Sequence, residues 1–207
     1  MIEPRPTLLS RITKAVVLWL YRWKGWRLHG ERKFPRKFVI TGAPHTSNWD
    51  FIVGILAKWA IGIPAHFWAK DSLFKVPVFG PWLRWVGGLP IDRSAARGAV
   101  GQTVDTFHEH AQAGRMLWLA AAPEGTRKWT PGWRSGFYQV ALGAGVPVGI
   151  VRLDWGQREI RFVDFLTMSG DEVDDYARLA TAFEGVRGYH PEQGSPIVPW
   201  RPSKDKK

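Results

Sequence analysis

Three short polar segments hold the residues of this sequence that are best suited to chemistry. Residues 45–50 (HTSNWD) contain a histidine and an aspartate, whereas residues 87–93 (GGLPIDR) and 123–127 (PEGTR) each contain an arginine beside glycine. An imidazole held by a carboxylate is suited to proton transfer. A guanidinium group is the side chain best suited to binding phosphate through two parallel hydrogen bonds. The segments therefore predict acid–base chemistry beside a site for an anionic group.

The spacing of His45 and Asp50 fits a catalytic pair only if the histidine precedes a helix. On one continuous helix, residues five apart would point about 140° apart. If His45 lies in a loop and the helix begins near Ser47 or Asn48, the Asp50 carboxylate can fold back to the imidazole and leave its other nitrogen free as a general base. The alternative is a helix-capping box of Ser47 and Asp50, in which the carboxylate only satisfies backbone donors.

The second and third segments predict a subsite for an anionic group. Arg93 follows the glycine pair 87–88, and Arg127 follows Glu124 and Gly125. Glycine allows the backbone to come close to a ligand. The alternative is that both arginines are ordinary surface residues and that Glu124 forms an ion pair with Arg127.

The surrounding pattern predicts the elements that hold these segments. Apolar runs indicate strands, and helical spacing of apolar residues indicates helices. The predicted strands are 37–42, 65–69 and 116–121, with a hairpin of 148–154 and 159–166; the predicted helices are 49–61, 94–113, 136–142 and 171–183. Residues 74–88 are rich in Pro, Gly and Trp, and we expect a structured loop or short helical turns there.

Strands that alternate with helices indicate an α/β fold. We expect a single layered domain with a mostly parallel mixed sheet flanked by helices and an antiparallel edge hairpin, preceded by an N-terminal amphipathic basic helix. The expected divisions are an arm (1–36), the domain (37–198) and a frayed tail (199–207). Ligands of such sheets bind beyond the carboxyl ends of the strands, where all three polar segments fall.

The N-terminal arm is strongly basic and rich in tryptophan. The chain has 29 Lys and Arg against 18 Asp and Glu, and ten of the basic residues lie within residues 1–37 beside two glutamates. Residues 7–26 have helical apolar spacing, but their longest uncharged run is seven residues, whereas a membrane span needs about 20. We predict a helix lying in the interface of an anionic membrane, with docking on the domain's own core as the alternative.

Composition and spacing argue against several other kinds of chemistry. The chain has no cysteine, which removes disulfides, thiolate metal sites and cysteine nucleophiles. His108 and His110 would point about 200° apart on a helix, so they do not share a metal ion. We therefore expect neither a metal nor a bound cofactor. Residues 1–10 show no secretory signal pattern.

The segments HTSNWD, GGLPIDR and PEGTR, followed by VPVGI at 146–150, resemble the four motif blocks of the glycerolipid acyltransferase family, which includes the lysophosphatidate acyltransferases. The order and rough spacing agree, and the resemblance covers about residues 38–155. Departures occur at Pro44, Ala122 and Lys128, where family members often carry asparagine, phenylalanine and serine.

This resemblance implies a single-step O-acyl transfer with an acyl thioester, either acyl-CoA or acyl carrier protein, as cosubstrate. His45 is implied as the general base that deprotonates an acceptor hydroxyl, with Asp50 holding the imidazole. The residues implied to bind the acceptor's phosphate are Arg93, Glu124, Gly125, Thr126 and Arg127. The simplest acceptor is the lysophospholipid 1-acyl-sn-glycerol 3-phosphate.

Two alternatives stay open at this point. One is an enzyme of the same fold that uses another amphiphilic acceptor, such as a lyso-ornithine lipid. The other is a non-enzymatic basic protein that binds anionic lipid or RNA. The enzyme hypothesis implies a peripheral or monotopic protein on the cytoplasmic face of the cell membrane, whose partners are the thioester donor, the lysolipid, the anionic membrane surface and acyl carrier protein, and not nucleic acid.

Overall fold

The computed structural model describes residues 8–30, 33–91 and 98–201, which form six α-helices and nine β-strands. The helices are α1 (Leu8–Trp23), α2 (Asn48–Ile61), α3 (Phe79–Trp85), α4 (Gly98–Gln112), α5 (Gly136–Ala144) and α6 (Glu172–Ala182). The strands are β1 (Arg27–His29), β2 (Lys37–Ala43), β3 (Ala65–Lys70), β4 (Gly88–Ile91), β5 (Leu117–Ala121), β6 (Trp133–Arg134), β7 (Val148–Asp154), β8 (Glu159–Leu166) and β9 (Pro199–Trp200). Short 3-10 turns cover Asp71–Lys75 and Pro191–Gln193.

Seven of these strands form one mixed sheet in the order β1-β8-β7-β2-β5-β3-β4. Neighbouring strands run parallel except for β7 and β8, which form the antiparallel hairpin. The predicted α/β architecture, with a mostly parallel mixed sheet, is confirmed. The central strands read as continuous apolar runs because helices cover the sheet on both faces.

Alternate residues of the central strands point into two different helical layers. On one face, Val39, Leu119 and Ile150 belong to a core shared with α4, α5 and α6. The opposite face, which includes Phe38 and Ile40, carries α1, α2 and α3. Helix α2 lies in the middle of this second layer, packed against α1 on one side and the α3 segment on the other.

Helix α1 docks on the domain by one side only. Val17 and Tyr21 are buried against α2, and the Tyr21 hydroxyl donates to the Val53 carbonyl at 2.5 Å. Burial raises the pKa of Tyr21 far above its usual range, so this donor stays protonated. The other side presents an exposed apolar stripe of Ile12, Val16, Trp19 and Trp23. No helix among the described residues is both long enough and apolar enough to cross a bilayer.

The ends of the chain contain two short strands that the sequence pattern did not predict. The arm expected at 1–36 contains β1, which pairs in parallel with β8 and so covers the outer edge of the hairpin. The tail expected at 199–207 begins with β9, which pairs with β6. Strands of two or three residues carry no periodic pattern of their own, so tertiary pairing alone creates them. Residues 202–207 lie outside the described residues, as does the predicted helix start near Ser94.

Candidate active site

His45 and Asp50 meet at the carboxyl end of β2. His45 lies in the loop after the strand, and α2 starts at Asn48 with Ser47 as its N-cap in an extended conformation. The His45 Nδ1 atom lies 3.3 Å from Asp50 Oδ2. With Nδ1 facing the carboxylate, Nε2 is the ring nitrogen left for proton transfer. The predicted pairing of these two side chains across the start of a helix is therefore present.

The capping box and the histidine contact are present at the same time. Asp50 Oδ2 accepts the backbone N–H groups of Thr46 and Ser47, both at 2.7 Å, and the Ser47 hydroxyl accepts from Trp49 N at 3.2 Å. The two roles of Asp50 that the sequence pattern leaves as alternatives therefore coexist. One carboxylate oxygen performs both because it has more than one lone-pair site.

A tryptophan that no motif predicted donates a further hydrogen bond to the Asp50 carboxylate. The Trp155 indole N–H donates to Asp50 Oδ1 at 2.7 Å. Burial alone would raise the pKa of Asp50, but the hydrogen bonds from His45, Ser47 and Trp155 outweigh it and hold that pKa below its usual value. A signal that points to Trp155 is strand order: β7 pairs with β2 as far as Ala43 opposite Arg152, so residues just after β7 lie beside the His45 loop.

Glu124 reaches the same loop from β5. Thr41 of β2 pairs with Ala121, so the residues after β5 arrive next to His45. Glu124 is 2% exposed, and its Oε1 accepts the His45 backbone N–H at 3.0 Å. Its Oε2 has no hydrogen-bond partner among the described residues, and burial raises the pKa of this carboxyl. The side chain thus supports the histidine's backbone from inside the protein.

An apolar cavity of about 430 Å³ begins at this pair. It lies between α2 and the sheet, bounded by α2 from Asp50 to Ile61 and by strand residues such as Ile40, Ala120 and Phe162. The eleven residue-to-residue steps between Asp50 and Ile61 correspond to roughly 16 Å of helix length. The wall also contains Lys58, whose ammonium donates to the Val86 carbonyl at 2.6 Å and whose pKa is lowered to about 8 by burial.

Three of the five residues expected to bind an anionic group line the cavity. Gly125, Thr126 and Arg127 line the cavity together with His45 and Asp50. Arg93 lies outside the described residues. The strand before it, β4, runs parallel at the sheet edge, three strands from β2, which corresponds to about 14 Å.

A second arginine, which sequence reasoning missed, lies beside the PEGTR turn. Arg134 donates its backbone N–H to the Pro123 carbonyl, and its guanidinium carbon lies 5.7 Å from the centre of the Trp200 ring. Gly125 has a φ of +65°, and a Cβ there would come within 2.7 Å of Arg134 Cδ. Any other residue at 125 would be strained and would displace this arginine.

The C-terminal segment holds the His45 loop from outside. The His190 backbone N–H donates to the Thr46 hydroxyl at 3.1 Å, and a Cβ on Gly188 would come within 2.6 Å of that oxygen. Tyr189 packs edge-on against Trp155, with ring centres 4.7 Å apart. These contacts fix the loop that carries His45 and the indole that holds Asp50.

The family model named Acyltransferase matches residues 25–152, which is more than half of the chain. The chain belongs to the acyltransferase family. The matched stretch includes His45, Asp50 and the PEGTR turn, and it ends before Trp155 and Gly188. No curated protein matches this acyltransferase.

The acyltransferase also resembles a solved structure. The crystal structure of the 1-acyl-sn-glycerophosphate (LPA) acyltransferase PlsC from Thermotoga maritima superposes with a TM-score of 0.54 at 17% identity, covering 82% of this chain and 75% of that one. At this identity the likeness concerns the fold, and the acyltransferase here shares that α/β fold.

Proposed function

We propose that this acyltransferase transfers a fatty acyl group from an acyl thioester to the hydroxyl of a lysophospholipid at a membrane surface. The observation that carries the proposal is the His45–Asp50 contact where an apolar cavity begins. A base and an apolar space beside it are the two features that esterification of a hydroxyl with a fatty acid requires.

The step needs only the groups already described. His45 Nε2 takes the proton of the acceptor hydroxyl as its oxygen attacks the thioester carbonyl carbon. The new C–O bond forms, the C–S bond breaks, and the departing thiolate recovers the proton from the imidazolium. Asp50 stabilises that imidazolium because its lowered pKa keeps it ionised at neutral pH. The donor is acyl-CoA or an acyl carrier protein, and no metal or further cofactor enters this step.

The cavity suits the acyl chain of the donor. Its volume of about 430 Å³ lies within the roughly 300–1,000 Å³ of small-molecule sites. Two glycines of its wall, Gly42 on β2 and Gly54 on α2, leave open space where a Cβ would stand.

The acceptor's phosphate is assigned to Arg127, with Gly125 and Thr126 beside it and Glu124 supporting the loop; Arg93 is proposed as the second guanidinium. Arginine fits phosphate geometry better than lysine does. The Thermotoga maritima enzyme that shares the fold is an LPA acyltransferase, which supports 1-acyl-sn-glycerol 3-phosphate as the simplest acceptor. A lyso-ornithine lipid is the competing acceptor.

Membrane attachment is assigned first to α1. Its exposed stripe contains two tryptophans, whose rings stack at 6.1 Å. Tryptophan favours the headgroup region, and basic side chains nearby favour anionic lipid. The cytoplasmic leaflet is the anionic one, so we assign the enzyme to that face as a peripheral protein.

The deciding experiment uses purified protein with labelled acyl-CoA or acyl carrier protein and vesicles containing a panel of lysolipids. His45→Ala is expected to abolish acyl transfer while folding and vesicle binding persist. His108→Ala, an exposed histidine on α4, serves as the matched control with full activity. Retained turnover in His45→Ala would refute the assigned base, and product only from an acceptor without phosphate would replace the assigned substrate.

A further inference from the structure

The segment from the 3-10 turn through α3 exposes an unusual amount of apolar surface. Six large apolar side chains within thirteen residues are exposed: Leu73, Val76, Val78, Phe79, Trp82 and Trp85. Single exposed apolar residues are ordinary on protein surfaces, whereas a contiguous cluster marks an interaction site.

The core does not need these side chains. The inner side of the same segment supplies Phe74, Leu83 and Val86, which are buried against Ile55 and Phe67. Gly80 is seated so tightly that a Cβ there would come within 2.2 Å of the Phe74 carbonyl oxygen. The buried inner residues therefore fix the segment in place, and the six outer side chains remain exposed to solvent.

Val78 stands at the tip in a costly backbone conformation. Its φ is +63°, and the Phe79 N–H donates to the Pro77 carbonyl at 2.7 Å, which closes a γ-turn. This turn is rare and strained, and a β-branched residue is poorly suited to it. Val78 is nevertheless 85% exposed and contributes little to the core. Strain of this kind points to a role outside folding.

The location of the stripe favours a bilayer as its partner. Helix α3 lies in the same layer as α1 and α2, and the cavity lies directly beneath α2. Trp49 and Ile52 of α2 are also exposed, so apolar side chains continue along this layer. Lys70, Lys75 and Arg84 outnumber Asp71 around the stripe, which favours anionic headgroups.

We propose that this outer stripe, the six residues named above, is a second membrane-contacting surface that inserts into the headgroup region of an anionic bilayer. The proposal rests on the membrane-surface action proposed above and adds a contact on the far side of α2 from α1. With both the α1 stripe and this outer stripe in contact, the helical layer would lie parallel to the bilayer surface, with the cavity between the two contacts.

The absence of cysteine from the chain permits a clean test. Val78→Cys, Val16→Cys on α1 and Val173→Cys on α6 would each carry one environment-sensitive fluorophore. Val173 is the matched control, because it is a valine with 78% exposure on the opposite layer of the sheet. The vesicles are phosphatidylcholine alone and phosphatidylcholine with phosphatidylglycerol.

The label at 78 is expected to shift to the blue with anionic vesicles, and the label at 173 is expected to stay unchanged. A response at 16 without one at 78 would overturn this proposal and leave the α1 attachment intact. No change in the emission of either the label at 16 or the label at 78 would overturn the membrane-surface action as well. A concentration-dependent shift at 78 without vesicles would identify a second copy of the chain as the partner and would also overturn the proposal.

Val78→Gly separates binding from folding. Glycine accepts the γ-turn without strain, so the Tm is expected to stay level or rise, while affinity for anionic vesicles falls about tenfold through loss of the apolar side chain. Val173→Gly is expected to leave vesicle affinity unchanged. Equal affinity of Val78→Gly and the natural chain would refute the second contact.

Discussion

Asp50 is held by four donors that come from two parts of the chain. Thr46, Ser47 and His45 act locally, and Trp155 acts from the end of β7. A carboxylate bound on both oxygens cannot rotate away from the imidazole, so its position no longer depends on substrate. Trp155 lies beyond the part of the chain that the family model matches.

Trp155→Phe is expected to lower kcat about tenfold with little change in KM, because a hydrogen bond to a charged group contributes roughly 1.5–3 kcal/mol. Loss of the indole donor also raises the pKa of Asp50 toward its usual value. A carboxylate with a depressed folded-state pKa stabilises the fold above its unfolded pKa, and this contribution disappears as pH falls through the folded value. The variant's deficit in unfolding free energy is therefore largest at neutral pH and shrinks in acid.

Trp118→Phe provides the control for this prediction. Its indole N–H donates to the Pro35 carbonyl at 2.9 Å and its side chain is fully buried, away from Asp50. It is expected to lower the unfolding free energy by an amount that does not depend on pH. A deficit in unfolding free energy of Trp155→Phe that is equally independent of pH would show that Trp155 has only a packing role.

At the scale of elements, β2 and α2 together define the cavity and present the base at its start. Gly42 is two residues after Ile40 on β2, so both positions lie on the face beneath α2. A Cβ at position 42 would meet no atom within 4 Å. The glycine is therefore not required by packing, and the free space above it belongs to the cavity.

Gly42→Val is expected to reduce transfer of long acyl chains more than tenfold, because the three added carbon atoms fill space where an apolar chain would lie. Transfer of short chains should change little, and the unfolding free energy should stay within about 1 kcal/mol of the natural value. The measurement is kcat/KM for a series of acyl donors of increasing length. A uniform loss at all lengths would mean that the chain lies elsewhere.

The sequence pattern located most long elements to within one or two residues. The two strands of the hairpin, Val148–Asp154 and Glu159–Leu166, have the predicted bounds. Residues 74–88, expected as a loop or short turns, contain the end of a 3-10 turn and α3. The pattern failed for β1 and β9, because the hydrogen bonds that define so short a strand come from a distant partner.

At the scale of the whole molecule, an excess of positive charge accompanies the exposed apolar stripes. The chain carries a formal net charge of +11, and the exposed stripes of α1 and α3 share one layer. Anionic lipid attracts each nearby basic residue by about 1 kcal/mol, and salt screens this attraction.

Binding to vesicles is therefore expected to require anionic lipid and to weaken at least tenfold between about 0.05 and 0.5 M salt, as the Debye length shortens to a few ångströms. Acyl transfer to a water-soluble short-chain acceptor should vary far less over the same range. Sedimentation with vesicles measures the first and a thioester assay measures the second. If RNA displaced the vesicles and bound the protein as tightly as they do, the result would instead support the non-enzymatic alternative.

The sequence by itself determined the parts of this protein that depend on neighbours along the chain. His45 and Asp50 are five residues apart, and a helix start between them is enough to bring their side chains together. The alternation of apolar runs was likewise enough to determine an α/β sheet with polar segments at its strand ends.

Only the tertiary structure decided which distant residues complete the site. Glu124 is 79 residues from His45, Trp155 is 105 from Asp50, and His190 is 144 from Thr46. The contacts of Glu124 and Trp155 depend on β5 and β7 flanking β2 in the sheet, and no local propensity specifies that order. Strand order results from packing the whole chain at once, because each strand can bury its two faces only when the neighbouring strands and both helical layers are in place.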